Sequence, residues 1–147
     1  MTELLLRYPE DRKQAALLPA LRLCQELMGY LTPEALSEVA AWLGVAPTAA
    51  AEVATFYSML RLQPTGRYVL DVCTNIGCSL CGAEELLAQL EKRLGVAVGG
   101  TSADGKFTLR EVECLASCGS APAMQVNEEF QERLTPQKLD ALLDALA

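Results

Sequence analysis

The chain has 147 residues, 51% of them apolar, and its 12 lysines and arginines against 19 aspartates and glutamates give a formal net charge of −7. Negative charge repels phosphate backbones, which excludes nucleic acid as an expected partner, and the lack of histidine excludes imidazole catalysis and histidine metal ligands. No apolar run reaches the roughly 20 residues that a membrane-spanning helix needs, and the N-terminus lacks the basic start and apolar core of a signal peptide, so we expect a soluble, cytoplasmic protein with no direct membrane insertion.

The first helix is predicted over residues 9–28, where apolar side chains recur four and three residues apart, the period of one helical face. Pro19 falls inside this stretch and should kink the helix or mark a fresh start, because proline lacks the N–H that a helix interior needs. Gly29 is placed to end the helix. Cys24 lies on the apolar face, where we expect it to be a small core residue.

Two more helices are predicted before residue 63. Thr32 precedes a proline and is expected to cap a helix that ends at Gly44. Thr48 is expected to cap a third helix, whose apolar face continues to Leu60. Residues 1–63 are therefore predicted to form a helical domain, for which we expect a role in contact with a partner.

A break at residues 63–66, with the sequence QPTG, is predicted to separate this domain from a second one over residues 64–147. Beyond the break the apolar pattern alternates, which predicts strands. The predicted strands are residues 67–73, 107–112, 123–126 and 130–134. Helices are predicted over residues 82–94 and after Thr135. This order places the chain in the α/β (α+β) class, with a small sheet covered by helices.

Four of the six cysteines fall in two loops, each directly after a predicted strand. Cys73 and Cys78 lie between the first strand and the next helix, and Cys114 and Cys118 follow the second strand. Backbone amides that irregular loops leave unpaired can donate to sulfur. Four thiolates, two sulfides and two ferric ions carry a net charge of about −2, which such donors stabilise. The pattern therefore indicates a 2Fe-2S cluster in an electron-transfer protein.

Three other interpretations use the same cysteines. A structural zinc site also takes four thiolates, although its usual pairs are CxxC and here only Cys78 and Cys81 form one. That CxxC, at a strand-to-helix junction, is also typical of a thioredoxin-like dithiol, a role that leaves Cys73, Cys114 and Cys118 unused. Finally, Cys73, Cys78 and Cys81 with one later cysteine have the plant-type ferredoxin spacing, so spacing alone leaves two ligand sets for a 2Fe-2S cluster.

Seven short segments resemble one known family, the thioredoxin-like 2Fe-2S subunit of respiratory complex I, the NADH:quinone oxidoreductase. They are residues 29–34 (GYLTPE), 52–58 (EVATFYS), 72–78 (VCTNIGC), 82–86 (GAEEL), 104–107 (DGKF), 111–118 (EVECLASC) and 121–127 (APAMQVN). The resemblance runs nearly end to end and implies a thioredoxin-like 2Fe-2S ferredoxin domain with a small mixed sheet. It also implies that the ligands are Cys73, Cys78, Cys114 and Cys118. Cys81, where the family usually has another residue, would then be a spare thiol.

The resemblance further implies an electron-transfer subunit that is not catalytic alone. Its expected partner is a larger flavoprotein subunit that binds FMN, NADH and a 4Fe-4S cluster, within the peripheral arm of complex I at the inner face of the membrane. This chain carries neither GxGxxG nor GxxxxGK[ST], in keeping with nucleotide and flavin on the partner. Equivalent subunits of NAD-linked hydrogenases and formate dehydrogenases are an alternative, and a standalone dithiol oxidoreductase or redox sensor using Cys78 and Cys81 is another.

Three further residues lie near the cysteines in the sequence or on the predicted strands. Pro122 could be a cis proline beside the cluster, as in other thioredoxin-like folds, or an ordinary proline at a strand start. Arg110 and Arg133 could offset the charge of the cluster or contact a partner, but a solvated role at the sheet edge is the expectation for both.

Overall fold

The computed structural model describes residues 2–146. The chain divides into two units, the first ending at Pro64 and the second beginning at Thr65. The sequence prediction places the domain boundary between residues 63 and 64, in the same break. Within residues 2–146 no helix combines the length and apolarity that crossing a bilayer requires.

The first unit is built of helices around one apolar core. They are α1 (Thr2–Leu5), a 3₁₀ segment (Glu10–Ala16), α2 (Leu17–Met28), α3 (Pro33–Leu43) and α4 (Pro47–Phe56). Leu21, Leu31 and Val39 are buried at its centre. Cys24 on α2 is half-buried and packs against this core, and burial, with a smaller contribution from Glu38, raises the pKa of its thiol. This agrees with its expected role as a small core residue.

The predicted first helix is two elements in the structure. A 3₁₀ segment ends at Ala16 and α2 begins at Leu17, so the fresh start is confirmed. Pro19 lies in the first turn of α2, where a missing N–H costs no helical hydrogen bond. Gly29, at φ +86°, ends the helix and its N–H donates to the carbonyl of Gln25. This conformation suits a residue without a β-carbon.

The start and end of α3 match the prediction. Thr32 is its N-cap, and the Thr32 side chain accepts a hydrogen bond of 3.1 Å from the N–H of Ala35. Pro33 occupies the first helical position. Gly44, in the left-handed region at φ +68°, ends the helix.

The predicted cap of α4 is wrong. The N-cap is Ala46, and Thr48 lies inside the first turn. Pro47 takes the first helical position, where its fixed φ suits a helix start and its missing N–H is not needed. The helix also ends earlier than predicted, at Phe56, because the chain becomes extended at Tyr57. Leu60 lies beyond the helix but is buried in the core.

Replacing Thr32 by alanine is expected to lower the free energy of unfolding of the first unit by about 1 kcal/mol, because the N–H of Ala35 loses its partner. Trp42, the single tryptophan, lies in α3, so its fluorescence during urea denaturation measures the change. Thr48→Ala is the matched control, since Thr48 is not the cap of α4, and should stay within about 0.5 kcal/mol of the parent. Equal losses in the two variants would contradict the assignment of the cap.

Over the described residues 65–146, the second unit contains a four-stranded mixed sheet and three α-helices. The strands are β1 (Tyr68–Cys73), β2 (Phe107–Val112), β3 (Met124–Val126) and β4 (Glu129–Gln131), in the order β2-β1-β3-β4. β1 and β2 are parallel, whereas β3 is antiparallel to both β1 and β4. The helices are α5 (Ile76–Leu80), α6 (Ala83–Leu94) and α7 (Pro136–Leu146). The predicted α/β class with a small mixed sheet is confirmed, and α5 is an element that the prediction missed.

The position of β1 in the sheet determines where the cysteines lie. β1 is flanked by β2 and β3, and its residues Val69, Leu70, Val72 and Cys73 are buried. In the parallel β1–β2 pair, Cys73 lies opposite Val112. The carboxyl ends of parallel strands meet at one edge of a sheet. The segments that follow β1 and β2, which carry the other three cysteines of the predicted site, therefore leave the sheet side by side.

Candidate functional site

The two cysteine-bearing segments are joined where they leave the sheet. The Thr74 N–H donates to the carbonyl of Val112 at 3.2 Å, and the Thr74 hydroxyl donates to the Glu111 carboxylate at 2.6 Å. Cys73 directly precedes Thr74, and Cys114 follows Val112 by two positions. These bonds hold the ends of β1 and β2 together, so both cysteine pairs start from one anchored edge.

Cys73 and Cys78 are each only 2% exposed. Cys73 ends β1, but Cys78 lies in the short helix α5, not in the loop that the sequence predicted. Asn75 caps α5 by accepting a hydrogen bond of 3.0 Å from the N–H of Ile76. A short polar side chain at this position favours helix formation. The helix is too short to show a helical apolar period, which is why the sequence pattern missed it.

Cys114 and Cys118 are exposed and lie on the segment after β2. The N–H of Ala116 donates to Cys114 Sγ at 3.2 Å. Cys118 begins a 3₁₀ turn (Cys118–Ser120). A β-carbon built on Gly77 would lie 3.7 Å from Cys118 Cβ and 3.8 Å from Cys118 Sγ. The Cys118 side chain therefore lies close to the backbone of α5 at Gly77, which brings the second cysteine pair next to the first.

The environment of Cys73 favours its thiolate. Burial acts to raise the pKa of the Cys73 thiol, but the backbone N–H groups of Asn75 and Leu115, with smaller contributions from the Cys78 and Cys114 thiols, hold the pKa below its ordinary value. A thiolate is the form that binds iron. Cys73 thus lies within reach of one thiol of each pair and among N–H groups suited to a sulfur ligand.

Cys78 has the opposite balance. Burial raises the pKa of the Cys78 thiol; a hydrogen bond from the backbone of Ala123 opposes this, and the charges of Cys73 and Cys118 add to the rise. Of these two neighbours of Cys78, Cys73 ends β1 and Cys118 lies on the segment after β2. A cationic metal centre favours thiolate at such a buried position, because it supplies the compensating charge that the protein alone does not.

The donor set fits a two-iron cluster. The Cys78 and Cys114 thiols act on the pKa of Cys73, and the Cys73 and Cys118 thiols act on the pKa of Cys78, so the four cysteines that the resemblance implied are linked in pairs. Within residues 2–146 no three cysteine or carboxylate side chains converge on a point that could hold a single metal ion. A 2Fe-2S cluster does not need three ligands at one point, because each of its two irons takes two protein ligands. The N–H of Ala116 donates to Cys114 Sγ, and the backbone at Asn75, Leu115 and Ala123 acts to lower the pKa of the Cys73 or Cys78 thiol.

Cys81 lies apart from this pattern. It is exposed at the end of α5, and its backbone N–H donates to the carbonyl of Cys78 at 3.1 Å. The thiols of Cys78 and Cys114 act on the pKa of Cys73, and the thiols of Cys73 and Cys118 act on the pKa of Cys78. Cys81 is exposed, as are Cys114 and Cys118, so the spare thiol that the family resemblance implied stays a prediction.

The two arginines and the proline are placed as follows. Arg110 on the edge strand β2 forms an ion pair of 2.8 Å with Asp71, the residue opposite it on β1. Its positive charge is therefore paired with a carboxylate of the same sheet. Arg133 is exposed, at φ +48°. The Ala121–Pro122 peptide bond is cis, so of the two interpretations that the sequence left open for Pro122, the structure has the cis proline. Pro122 directly precedes Ala123, whose carbonyl accepts from the Cys73 N–H at 3.1 Å.

One group beside the site was missed by the sequence reasoning. The carboxylate of Glu132 accepts hydrogen bonds from the hydroxyls of Ser117 and Ser120, the residues on either side of the Cys118–Gly119 step. These two hydrogen bonds lower the pKa of Glu132. The partners are 15 and 12 residues apart in the chain, so no local sequence pattern signals the contact.

Comparison with known proteins gives matches over almost the whole chain. A family model described as thioredoxin-like [2Fe-2S] ferredoxin matches residues 1–147. An NADH-quinone oxidoreductase subunit of Rhizobium meliloti is 45% identical over 139 residues, which cover 95% of this chain and 82% of that protein. An NADH-quinone oxidoreductase subunit of Thermus thermophilus is 42% identical over 147 residues, covering 99% of this chain and 81% of that protein.

A solved structure shares the fold. The crystal structure of an NAD+-reducing [NiFe]-hydrogenase in its H2-reduced state matches with a TM-score of 0.77 and 24% identity. The match covers 89% of this chain but 22% of the hydrogenase chain, so this chain spans about a fifth of that length. A sequence identity of 24% supports a shared fold and no more.

Proposed function

Because this chain belongs to the thioredoxin-like [2Fe-2S] ferredoxin family, we propose that it works as the electron-transfer subunit of an NADH:quinone oxidoreductase. The observation that carries this proposal is its identity of 45% and 42% to NADH-quinone oxidoreductase subunits over nearly its full length. The family's cofactor is a 2Fe-2S cluster, and a cluster of this type transfers electrons without rearranging covalent bonds of the protein. The chain is therefore an electron carrier within an oxidoreductase.

The proposed ligands are Cys73, Cys78, Cys114 and Cys118. Their support is the convergence of the two pairs at one end of the sheet, where Cys118 lies close to the backbone of Gly77 and the Cys114 thiol acts on the pKa of Cys73. Each thiol acts as a thiolate toward iron. The burial of the first pair keeps water from two of the four sulfurs, and the exposure of the second pair leaves one side of the site open to a redox partner.

The backbone donors have a definite role in this proposal. A cluster held by four thiolates carries a net charge of about −2 when oxidised and one more negative charge when reduced. N–H groups that point at the sulfurs stabilise that charge without adding a countercharge. Asn75, Leu115 and Ala123 act on the first pair, and Ala116 donates to Cys114. These amides should favour reduction of the cluster, because they stabilise the negative charge on its sulfur ligands.

The proposed partner is a larger flavoprotein subunit that binds FMN, NADH and a 4Fe-4S cluster, and the helical first unit is proposed to contact it. This chain would exchange single electrons with the FMN, and would lie peripheral to the inner face of the membrane with the other subunits of the complex. The names of its relatives support membership of such a complex. The shared fold with a hydrogenase keeps an NAD-linked hydrogenase or formate dehydrogenase as the alternative assembly, which the neighbouring genes would distinguish.

Anaerobically purified chain is expected to contain about two irons and two acid-labile sulfides, because one 2Fe-2S cluster has that composition. Dithionite should reduce it by one electron per chain, seen by EPR spectroscopy. NADH should reduce it only after the flavoprotein subunit of the same organism is added, since the NADH site is proposed on that partner.

Two results would contradict the proposal. Iron-free protein with thiol–disulfide exchange activity would support a dithiol oxidoreductase that uses Cys78 and Cys81. Reduction of the isolated chain by NADH would overturn the division of labour between the subunits. Cys81→Ser is the matched control, because it removes the dithiol and leaves all four proposed ligands.

A further inference from the structure

The Glu132 carboxylate is the centre of a polar cluster that surrounds the Cys118 turn. Glu132 directly follows β4. Its Oε1 accepts from the Ser120 hydroxyl at 2.5 Å and from the Ser117 hydroxyl, and the two hydroxyl oxygens are 2.7 Å apart. A single carboxylate oxygen thus holds both serines that bracket Cys118.

The backbone after Glu132 binds the same segment. The N–H of Arg133 donates to the carbonyl of Ser120 at 2.8 Å, and the N–H of Leu134 donates to the carbonyl of Pro122 at 3.1 Å. Inside the turn, the Ser120 N–H donates to the Ser117 carbonyl at 3.0 Å. Cys118 is exposed at the start of the short 3₁₀ turn. The residues that follow β4, Glu132 to Leu134, therefore hold the Cys118 turn in position. We call their hydrogen bonds to this segment the clamp.

The clamp places negative charge next to the site. The hydrogen bonds from Ser117 and Ser120 lower the pKa of Glu132, so the group is a carboxylate at neutral pH. Hydrogen bonds to a charged acceptor are about twice as strong as neutral ones. The same charge opposes the addition of an electron to a nearby anionic group, because like charges repel.

We propose that Glu132 is a positioning residue for the electron-transfer site: it holds the Cys118 turn through Ser117 and Ser120, and its negative charge makes the cluster harder to reduce. The inference rests on the proposed function, since it takes Cys118 to be a cluster ligand. It assigns two separable effects to one side chain. Removing the charge alone should alter the reduction potential, and removing the hydrogen bonds should speed the loss of the cluster.

Glu132→Gln tests the charge, because glutamine keeps the shape and an acceptor oxygen for the serines. Glu129→Gln is the matched control. It makes the same change on β4, but Glu129 pairs with Val126, at the end of β3 away from Ala123 and Cys73. Both variants are prepared as full chains with the cluster in place, and the measured quantity is the midpoint potential from an EPR-monitored redox titration.

Glu132→Gln is expected to raise the ratio of reduced to oxidised cluster at a fixed ambient potential by about threefold to tenfold, where tenfold corresponds to about 59 mV for one electron. Glu129→Gln should change this ratio by less than about twofold, because the potential follows charge close to the cluster. An unchanged potential in Glu132→Gln, or an equal shift in Glu129→Gln, would overturn the assignment.

Ser117→Ala tests the clamp separately, because it keeps the Glu132 charge and removes one of the two hydroxyl donors. It is expected to lose iron to a chelator at least about threefold faster than the parent, since the turn that carries Cys118 then loses a hydrogen bond to a charged group. Iron loss at the parental rate would overturn the positioning role, even if Glu132→Gln proved too unstable to titrate. A parent chain that binds no iron would instead refute the proposed function itself.

Discussion

Single replacement of Cys73, Cys78, Cys114 or Cys118 by serine is expected to reduce the cluster content of the purified chain to below about a tenth of the parent's two irons. Serine removes the soft thiolate that iron–sulfur clusters require and leaves a hydroxyl that stays protonated at neutral pH. The loss should be similar at the buried pair and at the exposed pair, because one iron would then keep only one of its two thiolates. Iron and sulfide analysis, with the visible absorption spectrum, measures it.

Cys81→Ser is the control for this series, and it should retain the parental iron and sulfide content. The change is chemically identical, and Cys81 is an exposed cysteine close to Cys78. The plant-type ligand set predicts the reverse, namely loss at Cys81 and tolerance at either Cys114 or Cys118. Circular dichroism of each variant shows whether the second unit is still folded, so that loss of the cluster can be separated from loss of the fold.

Leu70→Ala is expected to lower the free energy of unfolding of the second unit by about 3 kcal/mol, within the range of roughly 2–5 kcal/mol for leucine truncation in a core. Leu70 is 0% exposed in β1, between Leu109 of β2 and Val126 of β3. Truncation therefore removes apolar contacts to both neighbouring strands and leaves a cavity that the sheet cannot close. Hydrogen exchange of the β1 amides measures the change for this unit alone.

Leu80→Ala provides the matched control for the core prediction. It deletes the same atoms from a side chain that is 84% exposed at the end of α5. The expected change is within about 0.5 kcal/mol, as for most surface substitutions. Similar losses in the two variants would contradict the description of β1 as the centre of the core.

Elements with a strong local signal were predictable from the sequence. α3 has a threonine cap, a proline at its first position and a glycine at its end, and the structure has all three in those roles. β2 was predicted at its observed bounds, Phe107–Val112, because a run of strand-forming residues follows a glycine-rich loop. Such signals act over a few residues, so they survive in any tertiary context.

The failures have equally local causes. Thr48 was predicted as a cap because threonine is a common N-cap residue, but the helix begins two residues earlier, with Ala46 as the cap and Pro47 at the first helical position. α5 was missed because five residues cannot display a helical apolar period. In the same segment, the cap at Asn75 was the available signal, and it stands directly before the helix.

The sequence by itself determined the class of fold, the positions of most helices and strands, and the sulfur chemistry of the site, because these follow from apolar period, capping residues and the types of side chain present. Its cysteine spacing left two ligand sets open. Only the tertiary structure decided that β1 and β2 run parallel, that Cys118 lies close to Gly77, and that Glu132 holds the Cys118 turn. Contacts between residues distant in the chain depend on how strands pair and pack, and no local pattern of residues encodes them.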